Sequence, residues 1–411
     1  MRSISELLAP ARLGPDFRRL LGAFWTANLA DGVMLAAGPL LVASLTRDPF
    51  LIALGAATQH AGWVAFGLYA GAIADRVDRR LLLMVTNVVR VAVLVVLATA
   101  ITTGCVSVAW VLLSLLALGI AECFTDTTAS TLLPMLVAKR DLGIANARVM
   151  VGVMTINQLG GPPLGAALFA AGAYWPVVTQ AVFLALVVVQ LGRLRLPPRA
   201  PREPGSTSLV REVVEGVRWL AGNPPVRTLA LAILMFNLTF GATWSILVLY
   251  ATQQLGLGEI GFGLLTACAA VGGVVGASVY GRLERRFALG SMMRLGLLYE
   301  TLLHGLLAIT TIPAVAGALL VLFGFQASVW GTTSTAVRQR AVPHRMQGRV
   351  TSVYLLGVRG GIVVGALAGG ALAQLGGVRL TLAVSCVGSA LILALIWSWL
   401  PRIAHADNDE D

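Results

Sequence analysis

A chain of 411 residues that is 57% hydrophobic and only 12% charged, with mean hydropathy +0.83, falls outside the ordinary soluble class, where about a quarter of residues carry charge. The net charge of +11 does not describe a nucleic-acid face, because the basic residues sit in short clusters between apolar runs, as membrane topology demands. The period-two segments of an outer-membrane barrel are absent, so the composition predicts an all-α integral membrane protein.

Apolar runs long enough to cross about 30 Å of hydrocarbon recur from Leu20 to Leu400. They predict twelve spans: 18–45, 50–74, 81–103, 107–136, 145–171, 174–196, 226–252, 259–283, 288–310, 312–337, 347–374 and 378–400. The first run is too long, and lacks the small-residue end, for a cleavable leader; it is expected to remain as span one. With both termini in the cytoplasm, only Arg47 and Arg379 of the 30 basic residues face outward, while Arg90 and Arg359 remain deep inside spans. That bias sets the orientation. Basic residues are arginine except Lys139, which hints at a GC-rich bacterial genome and hence a bacterial plasma (inner) membrane.

Span one contains a single acid, Asp31, near mid-bilayer, with Asn28 one turn before it. An ionisable group at that depth costs a few kcal/mol or more and is functional by default; a hydrogen-bonded structural role near Gly32 is the plainer alternative. Span two carries His60, which reads as a packed or hydrogen-bonded histidine before a proton relay. Span three carries Arg90, able to snorkel or to pair. Span four carries Glu122 near its middle and Asp126 one turn nearer the cytoplasm, on one face. Span nine carries Glu300 and His304 as an i, i+4 pair, and span eleven carries Arg359. Arg359 is expected to pair with an acid across the molecule or to meet an anionic substrate.

Between spans six and seven lies the longest loop. PPRAPREPGSTS (197–208) is too proline-rich for a continuous helix. LVREVVEGVRWLAGNP (209–224) places Leu209, Val213, Val217 and Leu220 at helical spacing, predicting an amphipathic helix on the inner membrane surface. The chain thus divides into a six-span bundle (1–196), a linker (197–225), a second six-span bundle (226–402) and an acidic tail (403–411). The halves look related: GAIADRVDRR (71–80) is matched by GRLERRF (281–287), and the glycine-rich start of span five by that of span eleven. Such a repeat suits a two-bundle transporter. Cys105, Cys123, Cys268 and Cys386 show no paired spacing, so free thiols are expected, without disulfide or metal site.

Gly71-Ala72-Ile73-Ala74-Asp75-Arg76-Val77-Asp78-Arg79-Arg80 resembles the G-x-x-x-D-R-x-G-R-R loop of the major facilitator superfamily, with Asp78 at the second glycine position. Gly161-Pro162-Pro163-Leu164-Gly165 is similar to the G-P-x-x-G core of the superfamily's antiporter motif. The resemblance covers nearly the whole chain and is to exporters of the macrolide-efflux and enterobactin-export type. An arginine often found on the family's fourth helix is Leu115 here. The resemblance implies a twelve-helix fold in two bundles and a cytoplasmic latch made of Gly71, Asp75, Arg76, Arg79 and Arg80. Asp75 is expected at the start of the third helix, where a carboxylate meets unpaired N–H groups. Glycines including Gly161, Gly165, Gly272, Gly273, Gly276, Gly361 and Gly365 would line the seam between bundles, although ordinary helix packing explains them equally.

In the family fold, helices one and four line a cavity, which would bring Asp31, Glu122 and Asp126 to one water-filled space. A carboxylate drawn out of water favours its neutral form, so these three are the expected proton-coupling residues. Asn28, Asn157, Asn237, Trp244, Gln326, Trp330 and Arg359 are candidates for the substrate wall, where aromatic faces suit organic cations; packing is the alternative for each. The implied function is a proton-coupled exporter of amphipathic organic molecules, drugs among them. An exporter of an endogenous siderophore or lysolipid and a non-transporting receptor or scaffold are the alternatives. The expected partners are the lipid bilayer, a small-molecule substrate and protons, with no nucleic acid, and the protein is expected to be monomeric. No phosphate-binding G-x-x-x-x-G-K-[ST] loop occurs, so neither enzyme activity, a cofactor nor ATP-driven pumping is expected.

Overall fold

The computed structural model describes residues 11–194, 209–343 and 346–400; the proline-rich stretch and the acidic tail lie outside the described residues. Among the described residues there is no strand. The helices are α1 Pro15–Leu45, α2 Pro49–Arg76, α3 Arg79–Thr102 and α4 Val108–Leu136. Next come α5 (142–171), α6 Tyr174–Gly192, α7 Leu209–Gly222 and α8 Pro224–Ser245. The last four are α9 Glu259–Arg286, α10 Leu289–Ile309, α11 Pro313–Ala341 and α12 Gln347–Ile396. Ten helices among the described residues are long and apolar enough to cross a membrane.

Local chemistry sets the helix ends. Asp78 caps α3 by accepting from the Leu81 N–H at 2.7 Å. Ser107 caps α4, and Asn223 caps α8 ahead of two prolines at its first positions. The cap position corrects one expectation: Asp75 lies in the last turn of α2, and the carboxylate that meets the α3 N-terminus is Asp78. The side chain of Asp75 is outside the described residues.

Two helical runs are irregular. In α5, Leu142–Val151 is α-helical, Gly152–Gly160 is a π-helix and Gly161–Ala171 is α-helical again. Gly161 N–H donates to Ile156 O, five residues back. Pro162 and Pro163 supply no N–H to the turn behind them, which accounts for the widened register there. The 50-residue α12 is interrupted at Gly376 and Gly377, the latter at φ 75° and ψ −177°. Glycine alone adopts that geometry without strain.

The chain forms two compact units, Met1–Leu45 with Ala65–Ser206, and Thr46–Val64 with Thr207–Asp411. In the first, α1 packs on α4, α5 and α6, and α3 packs on α4 and α6. Phe17, Leu20 and Leu21 are buried with Leu132, Leu133 and Leu191. The outer face of α3 leaves Leu81, Val85, Val88, Val95 and Val96 about half exposed, a surface suited to lipid and not to water. In the second unit, α8 packs on α12, α9 on α11, and α10 on both α11 and α12. Leu229, Ile233 and Phe236 meet Met293, Leu297 and Leu393.

Glycines permit the closest approaches, and they do so within each unit. A β-carbon on Gly165 would strike the Val33 carbonyl of α1, and one on Gly161 would stand 2.5 Å from Gly32 Cα. In the second unit, Gly365 meets the Leu238 carbonyl of α8, Gly272 the Val321 carbonyl of α11, and Gly276 the Phe325 carbonyl. These positions therefore act in helix packing within each unit.

The amphipathic α7 is held by protein contacts as well as by amphipathicity. Gly216 lies under the α12 backbone, where a β-carbon would sit 2.9 Å from Arg349 O. Glu215 accepts from Arg349 at 2.7 Å and from Arg211 at 3.1 Å. Trp219 and Leu220 pack on Val226, Ala341 and Val350, while Val214 and Val217 stay exposed. The apolar face is thus shared between protein and outside, which a helical-spacing argument alone does not reveal.

Candidate functional site

The centre of the first unit is built on Arg90. Arg90 is 1% exposed, and its Nη2 donates to Asp31 Oδ1, joining α3 to α1. From α6, Gln180 Nε2, itself on a residue 2% exposed, reaches the same Asp31 oxygen at 3.4 Å. Glu122 and Asp126 on α4 also act electrostatically on the Arg90 guanidinium. Glu122 is half-buried and Asp126 exposed. Of the three expected carboxylates, Asp31 therefore bonds the guanidinium directly, and Glu122 and Asp126 act on it through their charge. Arg90 Nε and Nη1 are buried without protein partners, so the guanidinium keeps donor capacity for a second acceptor.

The surrounding polar groups are less uniform than expected. Asn28 turns its amide back to the Phe24 carbonyl at 2.8 Å. Asn157, on the π-helical part of α5, donates to the Asn28 backbone carbonyl at 3.1 Å. Asn157 therefore ties α5 to α1, while the Asn28 side chain stays on its own helix. Thr125 on α4 and Thr86 on α3 share a hydroxyl contact at 3.0 Å. Gln180 is a site residue that periodicity does not single out; its signal is an amide set deep in a largely apolar span.

The loop motif ties helix ends together. Arg80 donates to the Gly192 carbonyl at the end of α6, where a cation complements the helix dipole. Arg79 Nη1 lies 2.9 Å from Met135 Sδ near the end of α4. Arg76 is exposed, and a β-carbon on Gly71 would stand 3.9 Å from the Thr127 side chain.

In the second unit, the expected acid partner of Arg359 is replaced by a histidine and a tryptophan. Arg359 Nη1 stands 3.2 Å from His60 Nδ1, and its guanidinium carbon lies 5.0 Å from the Trp63 ring centroid. Both partners are on the part of α2 that belongs to this unit. The Glu300–His304 pair likewise differs from its expectation: His304 Nδ1 is 2.6 Å from the Glu300 backbone carbonyl, not from its carboxylate. Trp244 stacks on Phe240 at 5.3 Å, and Phe240 on Phe323 at 5.6 Å, forming an aromatic wall between α8 and α11. Gln326, one turn from Phe323, is 7% exposed, with both amide atoms unpartnered. Asn237 bonds its own helix at Ile233, and Trp330 packs into the apolar core beside Met293 and Leu297. Among the described residues there is no group of three or more metal-ligating side chains, and none of the four cysteines is in a disulfide.

Comparison with known proteins gives consistent results. The sequence profile of the family described as transmembrane secretion effector matches residues 6–411. The chain is 27% identical to the multidrug efflux pump Tap of Mycolicibacterium fortuitum, over 94% of this chain and 96% of that one. It is 25% identical to the enterobactin exporter EntS of Salmonella typhi, over 87% of this chain and 85% of that one. Among solved structures, a bacterial homologue of the human lysosomal transporter Spinster, inward-facing and unoccupied, superposes with TM-score 0.73 at 15% identity, covering 96% of this chain and 98% of that one. The nucleoside transporter NupG superposes with TM-score 0.72 at 13% identity, covering 95% and 100%.

Proposed function

The chain belongs to the transmembrane secretion effector family of major facilitator transporters, and we propose that it is a proton-coupled exporter of amphipathic organic molecules, working by alternating access. It is a multi-pass membrane transporter and not an enzyme. We count twelve crossings, with α5 as one and α12 as two separated at Gly376–Gly377. Fifty helical residues would reach about 75 Å, more than twice the hydrocarbon thickness. Both termini lie in the cytoplasm of a bacterial inner membrane on the charge bias of the loops, and the transporter acts as a monomer.

The observation that carries the coupling is Arg90 set among Asp31, Glu122 and Asp126. An ion pair out of water is held by mutual neutralisation, and removing one charge leaves the other buried at a cost of about 3–5 kcal/mol. Protonation of Asp31 removes one charge in just this way. The Arg90 guanidinium then turns to Glu122 and Asp126, the remaining acids within its field. Deprotonation returns it to Asp31. One proton thus toggles a contact between α1, α3 and α4, and an inward proton gradient supplies the direction. A cationic ligand stabilises the ionised acids and competes with the proton, which gives antiport.

The aromatic wall of Phe240, Trp244 and Phe323, with Gln326 beside it, offers flat faces and one polar anchor to an amphipathic substrate. Similarity to Tap favours drugs, and a role in antibiotic resistance follows from that reading. Similarity to EntS favours the second reading, export of an endogenous siderophore-like metabolite, for which Arg359 supplies the cation. The test is uptake of ethidium into inverted vesicles under an imposed pH gradient. Gradient-dependent uptake lost in Asp31→Asn supports the proposal; uptake equal in the variant and the parent rejects it.

A further inference from the structure

The second unit holds a buried acid that the coupling scheme above does not use. Glu300 on α10 is 8% exposed. Its position is related to that of Arg90: each stands eleven residues beyond the start of its helix, Arg79 for α3 and Leu289 for α10. The internal repeat therefore places an acid in one unit where the other holds a cation. In the first unit the guanidinium bonds the Asp31 carboxylate. In the second, no ion pair to Glu300 forms among the described residues.

The groups around it are neutral and polar. On α10 itself, His304 (2% exposed) is engaged with the Glu300 backbone carbonyl and meets the backbone of Thr239 on α8. The Thr239 hydroxyl accepts from Ser389 of α12 at 3.0 Å. Cys386 of α12 packs at Gly305, where a β-carbon would stand 3.1 Å from its sulfur. Of the arginines on α12, Arg349 pairs with Glu215, Arg359 faces His60 and Arg379 is exposed. Arg338 stacks on Tyr354, Arg340 pairs with Glu284, and Arg294 bonds the Trp397 carbonyl.

From α11 comes the second observation. Gln326 is 7% exposed, and neither its Oε1 nor its Nε2 has a partner. Its Nε2 lies 3.1 Å from where a β-carbon on Gly296 would stand. Gly296 precedes Glu300 by one helical turn on the same face. A buried amide with both groups unused calls for water or a ligand at that spot, and water beside Gln326 gives a proton a route to the carboxylate.

We propose that Glu300 is a proton-binding residue of the second unit, exchanging H⁺ with water admitted beside Gln326. The step is a bare proton transfer: the carboxylate accepts a proton from hydronium and returns it to water, with no other bond made or broken. The role rests on the proton-coupled reading, to which it adds a site separate from Asp31, but the site is measurable without transport. Infrared difference spectra of the purified protein between acid and alkaline buffers read the C=O stretch of a buried carboxylic acid. We expect Glu300→Gln to lose a component of that band, Glu300→Asp to restore one at shifted frequency, and Asp31→Asn to keep it. A band unchanged in Glu300→Gln overturns the assignment. Failure of the coupling reading shows separately, as wild-type ethidium transport indifferent to an imposed pH gradient.

Discussion

Arg90 of α3 donates to Asp31 of α1 from a position that is 1% exposed. A guanidinium so placed cannot discard its charge, so the acid opposite it sets both the stability of the unit and its chemistry.

Removing either partner alone should therefore be costly. Arg90→Met is expected to destabilise the protein by about 3–5 kcal/mol, because it leaves Asp31 without its cation. Asp31→Asn combined with Arg90→Met should recover most of that loss, since replacing both charges leaves no uncompensated one. Thermal unfolding of the detergent-solubilised variants measures this, and an additive double variant contradicts the pairing as an energetic unit.

The glycine contacts make a paired prediction. Gly365→Val drives a side chain into the Leu238 carbonyl, whereas a β-carbon on Gly360 would meet nothing within 4 Å. Overpacking costs about 1–3 kcal/mol where side chains can yield, and backbone yields less. Gly365→Val should abolish or sharply reduce folded protein, and Gly360→Ala should leave it unchanged, as judged by monodisperse yield on size-exclusion chromatography.

Arg359 provides a third. Its guanidinium faces His60 and the Trp63 ring, and a planar stacked cation is poorly replaced by an ammonium. Arg359→Lys should lower stability by about 0.5–2 kcal/mol, and Trp63→Ala should remove most of the difference between Arg and Lys at this position. Equal unfolding temperatures for the parent and Arg359→Lys would show that the stack contributes nothing.

Asp78 gives a fourth. Its carboxylate caps α3, and loss of such a cap costs about 0.5–2 kcal/mol. Asp78→Ala should be destabilised by that amount, while Asp78→Asn should fall near the parent.

Much of the architecture was legible because lipid imposes a simple demand. Runs such as those of α3 and α4 need about 20 apolar residues and a satisfied backbone, and arginine clusters mark their ends. The family profile and both relatives agree with the resemblance read from the 71–80 loop. What periodicity could not give was partner identity. Asp31 and Arg90 are 59 residues apart in the chain, and the packing of both α1 and α3 on α6 brings them together with Gln180. Asp75 and Asp78 were exchanged because a helix boundary shifted by a few residues moves the cap. Glu300 and His304 satisfied i, i+4 spacing, yet the histidine chose the backbone carbonyl over the carboxylate. Arg359 pointed to an acid by charge alone, and found an imidazole and an aromatic face.

In the proposed mechanism a proton gradient is felt through Asp31. The direct measurement is ethidium efflux and coupled proton movement in proteoliposomes holding the parent or Asp31→Asn at matched protein content. Dye movement should follow the imposed pH gradient in the parent, and the variant should retain dye binding but lose gradient-driven movement. Gradient-driven movement at parental rate in Asp31→Asn contradicts the scheme.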